Sequence, residues 1–302
     1  MNSSPRPRLV VVGSSNTDLV LDCPQLPKPG ETLLGGEFRR FAGGKGANQA
    51  VAAARAGAKI FFIGARGSDE FGKTALAGLR KEGISVTHFR VKAGAASGVA
   101  LILLGGKSKE NIIGVAKSAN DLLTAADLEA AGSAFRTAGT VLAQLETPLA
   151  TIQHAAELAE KHGIPFILNP APARLLPETL LKKVHTLTPN EHEVVILAKE
   201  TNVEKAAEKL LKKGVQHVVV TLGAKGALWV SQAGKQYFKA PRVKAVDTVG
   251  AGDCFSGWLA VGIADGLAMP KAIEQAISAA AIAVTRAGAQ DGMPWRKEVA
   301  AR

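Results

Sequence analysis

The sequence predicts an α/β fold built on a mainly parallel central sheet with helices on both faces. From residue 124 onward, short apolar runs alternate with longer amphipathic segments, which is the pattern of repeated strand–helix units. Hydrophobic residues make up 47% of the 302 residues, which suffices for a sizeable core. Glycine is abundant, with 32 residues, whereas aromatic residues are 5%. This composition favours tight turns and close approach of the backbone to a nucleotide or phosphate.

Local patterns predict the elements in chain order. In the first part of the chain they predict a buried strand at 9–12, short exposed strands at 32–41, a helix at 45–56, a strand at 59–63, a helix at 70–82, and strands at 86–91 and 99–104. In the rest they predict helices at 125–134, 148–162, 178–183, 191–199, 203–213, 253–264 and 270–285, strands at 140–144, 165–168, 184–187 and 217–221, and a hairpin with strands at 227–230 and 236–240. The early short strands interrupt the strand–helix rhythm, so we assign them to a small β element beside the main domain.

Composition also narrows the classes of partner. The net charge is +11, but the basic residues are spread along the chain and few aromatic side chains are available to stack on bases. An anionic small molecule is therefore favoured over a nucleic acid. Two cysteines, and six histidines without metal-ligand spacing, predict neither a disulfide framework nor a zinc site. No apolar run is long enough for a signal peptide or a membrane span, so we expect a cytoplasmic protein.

One motif points to a different class of protein. Residues 67–74, GSDEFGKT, match the pattern GxxxxGK[ST] of nucleotide-binding P-loops. Asp69, Glu70 and Phe71 would lie beside the phosphates, where two carboxylates would repel a nucleotide. We interpret the segment instead as the start of a helix, where acidic residues are favourable.

The segment 246–257, VDTVGAGDCFSG, carries the strongest chemical signal. The small residues 250–252 leave backbone N–H groups free where a helix begins, an arrangement that binds anions. Asp253 follows in the first helical turn, where a carboxylate can act as a general base while the amides stabilise a transferring phosphoryl group. Asp253 could instead only cap the helix, as aspartate often does. The nearby Asp247 favours the catalytic interpretation.

Other polar segments open helices or follow strands. In FAGGKGANQ, residues 41–49, three glycines surround Lys45 and precede Asn48, so the backbone and both side chains can approach a polar ligand. The segment GSSNTD at 13–18, Glu146, Asn190 and the segment TLGAKG at 221–226 each follow a predicted strand. In a parallel sheet such positions meet at one edge, where ligands bind. Each segment alone could be a turn or a helix cap.

Together these segments resemble the ribokinase-like (PfkB-type) family of carbohydrate kinases, from about residue 9 to residue 296. The segments that carry the resemblance are GSSNTD (13–18), PGET (29–32), AGGKGANQA (42–50), SGVALI (97–102), QLETP (144–148), NPAPAR (169–174), TPNEHE (188–193), TLGAKG (221–226), VDTVGAGD (246–253) and IAVTRAGAQ (282–290). GAGD is the signature of the family. GGKGANQA, QLE and LNPAPA are similar to the segments of members that phosphorylate ribose.

The resemblance implies transfer of the γ-phosphoryl group of ATP to O5 of D-ribose. Asp253 would be the general base, and the amides of Gly250, Ala251 and Gly252 would form the anion hole. The residues that would bind the sugar are Asn16, Thr17, Asp18, Gly44, Lys45, Gly46, Ala47, Asn48 and Glu146, together with Asp253.

The resemblance also implies ATP, Mg²⁺ and an activating K⁺ ion as cofactors. The residues that would lie along ATP are Asn190, Thr221, Leu222, Gly223, Ala224, Lys225 and Gly226, with Gly252 and Asp253 near its phosphates. Glu193 would help to hold Mg²⁺ through water. The K⁺ ligands, mostly carbonyl oxygens as suits a hard cation, would come from Asp247, Val249, Ala283, Arg286, Gly288 and Gly292.

Finally, the resemblance implies a single kinase domain over residues 1–302 with a lid of short strands at 32–41 and 86–115. The lid would cover the sugar, exclude water and join two subunits in a homodimer. Two alternatives stay open. One is another kinase of the family, acting on deoxyribose, fructose, ketodeoxygluconate or a nucleoside. The other is a non-catalytic sugar-binding protein, which we would expect to lack Asp253 or the glycines before it.

Overall fold

The computed structural model describes residues 6–106 and 110–300, which contain a nine-stranded and a four-stranded sheet. The strands are β1 (Arg8–Val12), β2 (Asn16–Cys23), β3 (Glu37–Gly43), β4 (Lys59–Arg66), β5 (Ser85–Val91), β6 (Gly98–Gly105), β7 (Glu110–Ala116), β8 (Thr140–Ala143), β9 (Phe166–Leu168), β10 (Thr186–Leu187), β11 (His217–Thr221), β12 (Ala227–Ser231) and β13 (Gly234–Phe238). The helices are α1 (Lys45–Arg55), α2 (Glu70–Lys81), α3 (Ala125–Glu129), α4 (Gly132–Phe135), α5 (Leu149–Lys161), α6 (Glu178–Leu181), α7 (Glu191–Ala198), α8 (Val203–Lys212), α9 (Ala251–Ala264), α10 (Met269–Ala283) and α11 (Arg296–Ala300).

The large sheet confirms the predicted parallel α/β architecture. Its order is β13-β12-β11-β10-β9-β8-β1-β4-β5, and only the hairpin strands β12 and β13 run antiparallel to their neighbours. β1 is a continuous apolar run because both of its faces are covered. Val10 and Val12 belong to the apolar core that includes residues of α3 to α8, while Leu9 and Val11 belong to the core that includes residues of α1, α2 and α9 to α11. No helix in the described part of the chain is long and apolar enough to cross a membrane.

The small sheet corrects the predicted boundaries of the lid. Its order is β3-β2-β6-β7, so β2 is an internal strand that sequence reasoning had not recognised. β5, which the prediction of 86–115 included, is instead the edge strand of the large sheet, parallel to β4. The reason is packing: Phe89 of β5 is buried and meets Phe62 of β4 edge-on, with ring centroids 5.2 Å apart. Residues 32–36 form no strand.

Two further differences from prediction are local. The helix predicted at 125–134 is divided into α3 and α4, because the chain turns at Ala130 and Ala131. A last helix, α11, was not predicted. Residues 107–109 of the predicted lid lie outside the described residues, and the single domain over 1–302 stays a prediction.

The P-loop-like segment is a helix start, as predicted. Asp69 caps α2 by accepting a hydrogen bond of 2.8 Å from the Gly72 N–H. Its carboxylate also accepts bonds of 2.7 and 2.6 Å from the backbone N–H and the hydroxyl of Ser97. Burial alone would raise the pKa of Asp69, but these hydrogen bonds hold the pKa below its usual value. The carboxylate therefore joins α2 to the segment before β6.

We expect Asp69→Ala to lower the free energy of unfolding by about 1–3 kcal/mol, because the helix loses its cap and Ser97 loses its partner. Urea unfolding at neutral pH measures this effect. The matched control is Glu70→Gln, whose exposed side chain makes only a surface pair with Lys73. The difference between Asp69→Ala and the parent should shrink as the pH falls below about 4, since the lowered pKa stabilises only the ionised carboxylate. Equal stability of Asp69→Ala and Glu70→Gln at neutral pH would contradict the capping role of Asp69.

Candidate active site

The start of α9 presents an open helix N-terminus. Gly250 has φ of 77°, a left-handed conformation, and a Cβ there would lie 3.0 Å from Ala289. Gly252 is exposed, and a Cβ there would meet no atom within 4 Å, so the space beside its backbone is free. The first N–H groups of a helix have no helical partner. This terminus can therefore bind an anion.

Asp253 lies directly inside this terminus and is 7% exposed. Its Oδ2 accepts a hydrogen bond of 2.9 Å from Asn48 Nδ2, and its Oδ1 accepts one of 2.9 Å from Gln49 Nε2. Burial raises the pKa of Asp253, while Lys45 and the two amide groups partly oppose the shift. The carboxylate is thus kept dry, oriented and more basic than in water.

Close packing brings the start of α1 to this carboxylate. Gly44 has φ of 88°, and a Cβ there would lie 2.7 Å from the Asn16 nitrogen. A Cβ at Gly46 would lie 2.6 Å from the backbone of Gly13 and Ser14, which connects β1 to β2. Only glycine allows these approaches, so the predicted GGKGAN segment is a packing requirement as well as a polar loop.

Glu146 joins three of the predicted segments. Its Oε2 accepts a hydrogen bond of 2.5 Å from the Ser14 hydroxyl and one of 3.0 Å from the Lys45 backbone N–H. Ser14 follows β1, Lys45 begins α1, and Glu146 follows β8, which pairs with β1. The parallel pairing therefore places these residues at the same edge of the sheet, as predicted.

Four carboxylates lie near the partly buried Lys45 ammonium. Burial raises the pKa of Asp18 to about 6, with Glu146 and Asp253 adding to the shift. Burial alone would lower the pKa of Lys45, but Asp253, Glu146, Glu193 and Asp18 together raise it. Such a cluster offers many acceptors and one strong donor, which suits a ligand rich in hydroxyl groups.

The predicted sugar residues fall into two groups. Asp18 lies over the backbone of Gly43, where a Cβ would be 2.2 Å from its carboxylate, and Asn16 Oδ1 accepts a bond of 2.8 Å from Asn120 Nδ2. Asp18 belongs with the carboxylate cluster. Asn16, Thr17 and Ala47 instead line a cavity of about 240 Å³ between the small sheet and α2, and its lining does not include Asp18, Lys45 or Asp253.

The predicted nucleotide residues come together at the ends of β10 and β11. Asn190 Oδ1 accepts a bond of 2.8 Å from the Glu193 N–H, and Glu193 Oε2 accepts one of 2.9 Å from the Asn190 N–H, which caps α7. Asn190 also bridges to Thr221. The following turn closes through the bond from Leu222 N–H to the Gly226 carbonyl, 2.8 Å long. The exposed Ala224 and Lys225 complete this turn.

The predicted K⁺ residues lie on two segments that a carboxylate joins. Asp247 accepts bonds of 2.9 Å from the N–H groups of both Val249 and Gly288, which ties the segment before α9 to the segment after α10. A Cβ at Gly292 would lie 2.8–3.4 Å from the carbonyl oxygens of Gly288, Ala283 and Arg286. These oxygens therefore converge beside Gly292, and oxygen ligands of this kind fit a hard cation. The Arg286 side chain pairs with Glu298 at 2.5 Å.

Several site residues were missed from the sequence. Gln49, Asn120, Gln144 and Asn169 are buried amides, and Gln290 reaches the same region from the loop after α10. A signal for Gln49 was present, because glutamine in the alanine-rich segment ANQAVAAA lies among core positions and needs a partner there. In the described part of the chain, no group of three or more His, Cys, Asp or Glu residues is arranged to hold a metal ion.

Comparisons with known proteins find similar chains over nearly the whole length. The profile described as "pfkB family carbohydrate kinase" matches residues 6–296. A ribokinase of Haemophilus influenzae is 42% identical over 299 residues, 97% of each chain, and a deoxyribokinase of Salmonella typhimurium is 37% identical over 292 residues, 95% of each. Among solved structures, a ribokinase from Thermotoga maritima is 38% identical with a TM-score of 0.91, and an Arabidopsis thaliana ribokinase complexed with ribose and ATP is 33% identical with a TM-score of 0.90. Both cover 98% of this chain and 98% of their own.

The raised pKa of Asp18 predicts a stabilising substitution. Because the folded state disfavours the ionised carboxylate, Asp18→Asn should raise the free energy of unfolding by roughly 1–3 kcal/mol at pH 7.5. The gain should shrink as the pH falls from about 6 to about 4, since the parent protein then takes up the proton on folding. Thermal unfolding across this pH range measures it.

Asp22→Asn on the same strand is the control, because the Asp22 carboxylate pairs with Arg39 at 3.3 Å outside the carboxylate cluster. An equal, pH-independent effect of both substitutions would contradict the electrostatic account.

Proposed function

The chain belongs to the pfkB family of carbohydrate kinases, and on that premise we propose that it has ribokinase activity, transferring the γ-phosphoryl group of ATP to O5 of D-ribose. The observation that carries this proposal is the buried Asp253 carboxylate inside the open N-terminus of α9. Lys45 and Glu146 lie close enough to interact with it electrostatically. The ribokinase relatives, similar over nearly the whole chain, support ribose as the acceptor.

Asp253 acts as the general base. Its pKa, raised by burial, favours removal of a proton from a sugar hydroxyl. As O5 attacks the γ-phosphorus, the O5–H proton passes to Asp253, the new O5–P bond forms, and the bond from phosphorus to the bridging oxygen breaks to release ADP. The N–H groups of Gly250, Ala251 and Gly252 stabilise the negative charge on the group in transfer.

We assign the sugar to the space bordered by the carboxylate cluster. Asp18 and Glu146 accept hydrogen bonds from hydroxyl groups, and the Lys45 ammonium donates. Asn16 and Asn48 offer an oxygen and a nitrogen each. The residues Gly44 and Gly46 let the start of α1 pack on the segment after β1, which brings its polar groups to the sugar. Thr17 and Ala47 support the binding residues from the neighbouring cavity.

We assign ATP to the turn from Thr221 to Gly226 and to Asn190, the cap of α7. Gly223 and Gly226 have positive φ angles of 56° and 108°, which let the turn lie flat beneath a nucleotide. Glu193 would hold Mg²⁺ through water, since its carboxylate faces Lys45 and Asp253. When bound, Mg²⁺ neutralises charge on the phosphates. ATP as co-substrate suits a cytoplasmic enzyme.

The carbonyl oxygens of Ala283, Arg286 and Gly288 would hold K⁺ beside Gly292, together with Asp247 and Val249. A bound cation would stabilise the loop that precedes α9 and hence the anion hole. The potassium assignment therefore predicts activation through the order of this loop.

We also propose a homodimer through the lid, the sheet of β2, β3, β6 and β7. The register places Phe38 beside Leu21 and Leu103 beside Ile112 on one face. Phe38, Leu101 and Ile112 are 64%, 59% and 51% exposed, and such an apolar patch is typical of a surface that another chain covers. A second copy would bury this face while the opposite face, which carries Asp18, covers the sugar.

A second candidate is a kinase specific for deoxyribose, because a deoxyribokinase is among the relatives. The two sugars differ by one hydroxyl group. A site built to bind that hydroxyl rejects the analogue without it, since its buried polar groups would be left unpaired.

The substrate is tested by ADP release with ATP, Mg²⁺ and K⁺ against ribose, deoxyribose, fructose, ketodeoxygluconate and adenosine. We expect the highest kcat/KM with ribose, by about 10²-fold or more over deoxyribose if the hydroxyl contact is made. A higher value with deoxyribose would select the second candidate. Ribose binding without any turnover would instead indicate a non-catalytic sugar-binding protein.

Asp253→Asn should lower kcat by roughly 10²–10⁴-fold and leave ribose affinity within a few-fold, because the amide keeps the shape but cannot accept the proton. Steady-state kinetics and calorimetric ribose binding measure the two effects. Asp265→Asn is the same change at the other end of α9, where the Asp265 carboxylate pairs with Arg296, and it should leave both unchanged. Normal kcat in Asp253→Asn would remove Asp253 from the role of base.

A further inference from the structure

The amide groups around Asp253 form two directed chains of hydrogen bonds. A side-chain amide has a donor end and an acceptor end, so a rotated amide turns an oxygen toward its former acceptor. The donor end of an amide attracts a carboxylate, and the acceptor end repels it. The orientation of Asn48 and Gln49 therefore decides whether Asp253 is stabilised as an anion.

The first chain is anchored at a backbone carbonyl, which can only accept. Asn169 Nδ2 donates to the Thr188 carbonyl at 2.8 Å, so its Oδ1 must face Gln49. Gln49 Nε2 donates to that Oδ1 at 3.0 Å and to Asp253 Oδ1 at 2.9 Å. Gln144 Nε2 donates to Gln49 Oε1 at 2.6 Å and closes the other end. Gln49 is 0% exposed and Asn169 7%, so water does not compete for these bonds.

The second chain comes from the loop after α10. Gln290 Nε2 donates to Asn48 Oδ1 at 3.1 Å, which turns Asn48 Nδ2 toward Asp253 Oδ2. Gln290 is itself held, because Arg55 Nη1 donates to its carbonyl at 2.7 Å. Arg55 is fixed in turn by two bonds to the Glu82 carboxylate, 2.9 and 2.6 Å long.

We infer that Asn169 and Gln290 are positioning residues for the general base: each fixes the amide that donates to one oxygen of Asp253. Asn169 acts through Gln49, and Gln290 acts through Asn48. Neither touches the carboxylate itself in the described contacts. The inference rests on the proposed role of Asp253 and extends it to residues outside the assigned substrate contacts.

Loss of either chain of hydrogen bonds should change the pH dependence of kcat. Without Asn169 or Gln290, the next amide is free to rotate its oxygen toward Asp253, and the ionised carboxylate loses a donor. The acid limb of the kcat profile should then move to higher pH. The charged groups that face Asp253 are Lys45, Glu146, Asp18 and Glu193, and all four are unchanged in the variants below.

The test is a set of double-mutant cycles on kcat, measured from pH 5 to 9. Asn169→Ala and Gln290→Ala should each lower kcat by about 10-fold, as expected for a misplaced catalytic group. When Gln49 is already alanine, Asn169→Ala should lower kcat by less than about 2-fold. When Asn48 is already alanine, Gln290→Ala should likewise lower kcat by less than about 2-fold. The effects of the Asn169 and Gln290 substitutions on the activation free energy should add, because the two residues act on different oxygens of Asp253.

Three measurements separate positioning from general damage. Ribose affinity of Asn169→Ala should stay within about 3-fold of the parent while kcat falls, and Gln275→Ala on α10 is the matched control with unchanged kinetics. The carboxyl resonance of Asp253 in ¹³C-aspartate-labelled protein, assigned with Asp253→Asn, should titrate at higher pH in both variants. Equal effects of Asn169→Ala in the presence and absence of Gln49, or an unmoved Asp253 titration, would overturn the inference.

Failure of the proposed function is distinguishable from failure of the inference. Absence of ribose turnover in the parent, or normal kcat in Asp253→Asn, would contradict the proposed function, and neither result requires the Asn169 or Gln290 variants. If the parent is active and the Asn169→Ala and Gln290→Ala variants have normal kcat and normal Asp253 titration, only the inference is contradicted.

Discussion

The close packing of α1 on α9 is the constraint on which the rest of the site depends. Gly257 of α9 lies where a Cβ would be 2.7 Å from Ala52 and 2.8 Å from the Gln49 carbonyl. The two helices can approach this closely only because one of them lacks a side chain at the contact. This approach brings the first turn of α1, with Asn48 and Gln49, to the first turn of α9, with Asp253. Two helices far apart in the chain thus share one buried carboxylate.

The carboxylate cluster is a place where stability and function oppose each other. Asp18, Glu146, Glu193 and Asp253 all interact electrostatically with Lys45. Burial and mutual repulsion raise the pKa of Asp18 and Asp253, which means that the folded protein disfavours their ionised forms. Such an arrangement is retained where it binds or reacts, because unfavourable charge in the free protein becomes favourable in the presence of hydroxyl groups and cations.

In the lid, too, stability and function oppose each other, here through an exposed apolar face. A sheet of β2, β3, β6 and β7 with exposed Phe38, Leu101 and Ile112 covers little of its own hydrophobic surface. Parallel pairing of β2 with β6 requires a long connection, and that connection contains the site segment GGKGAN and the edge strand β5. The strands of the small sheet and the residues around Asp253 are therefore interleaved in the chain, and Asn16 and Asp18 belong to the small sheet itself.

The sequence by itself determined the order along the chain of the strands of the large sheet, the helix starts at Lys45 and Glu70, the GAGD turn and the polar residues that follow the parallel strands. These features depend on local chemistry: periodicity of apolar residues, glycine where φ is positive, and acidic residues at helix starts. Only the tertiary structure decided that β5 joins the large sheet and β2 the small one, because the partners of these strands are distant in the chain. It also decided which amides hold Asp253, since Asn169, Gln49 and Gln290 lie on separate elements. Their orientation is set by the acceptors that packing places beside them, above all the Thr188 carbonyl.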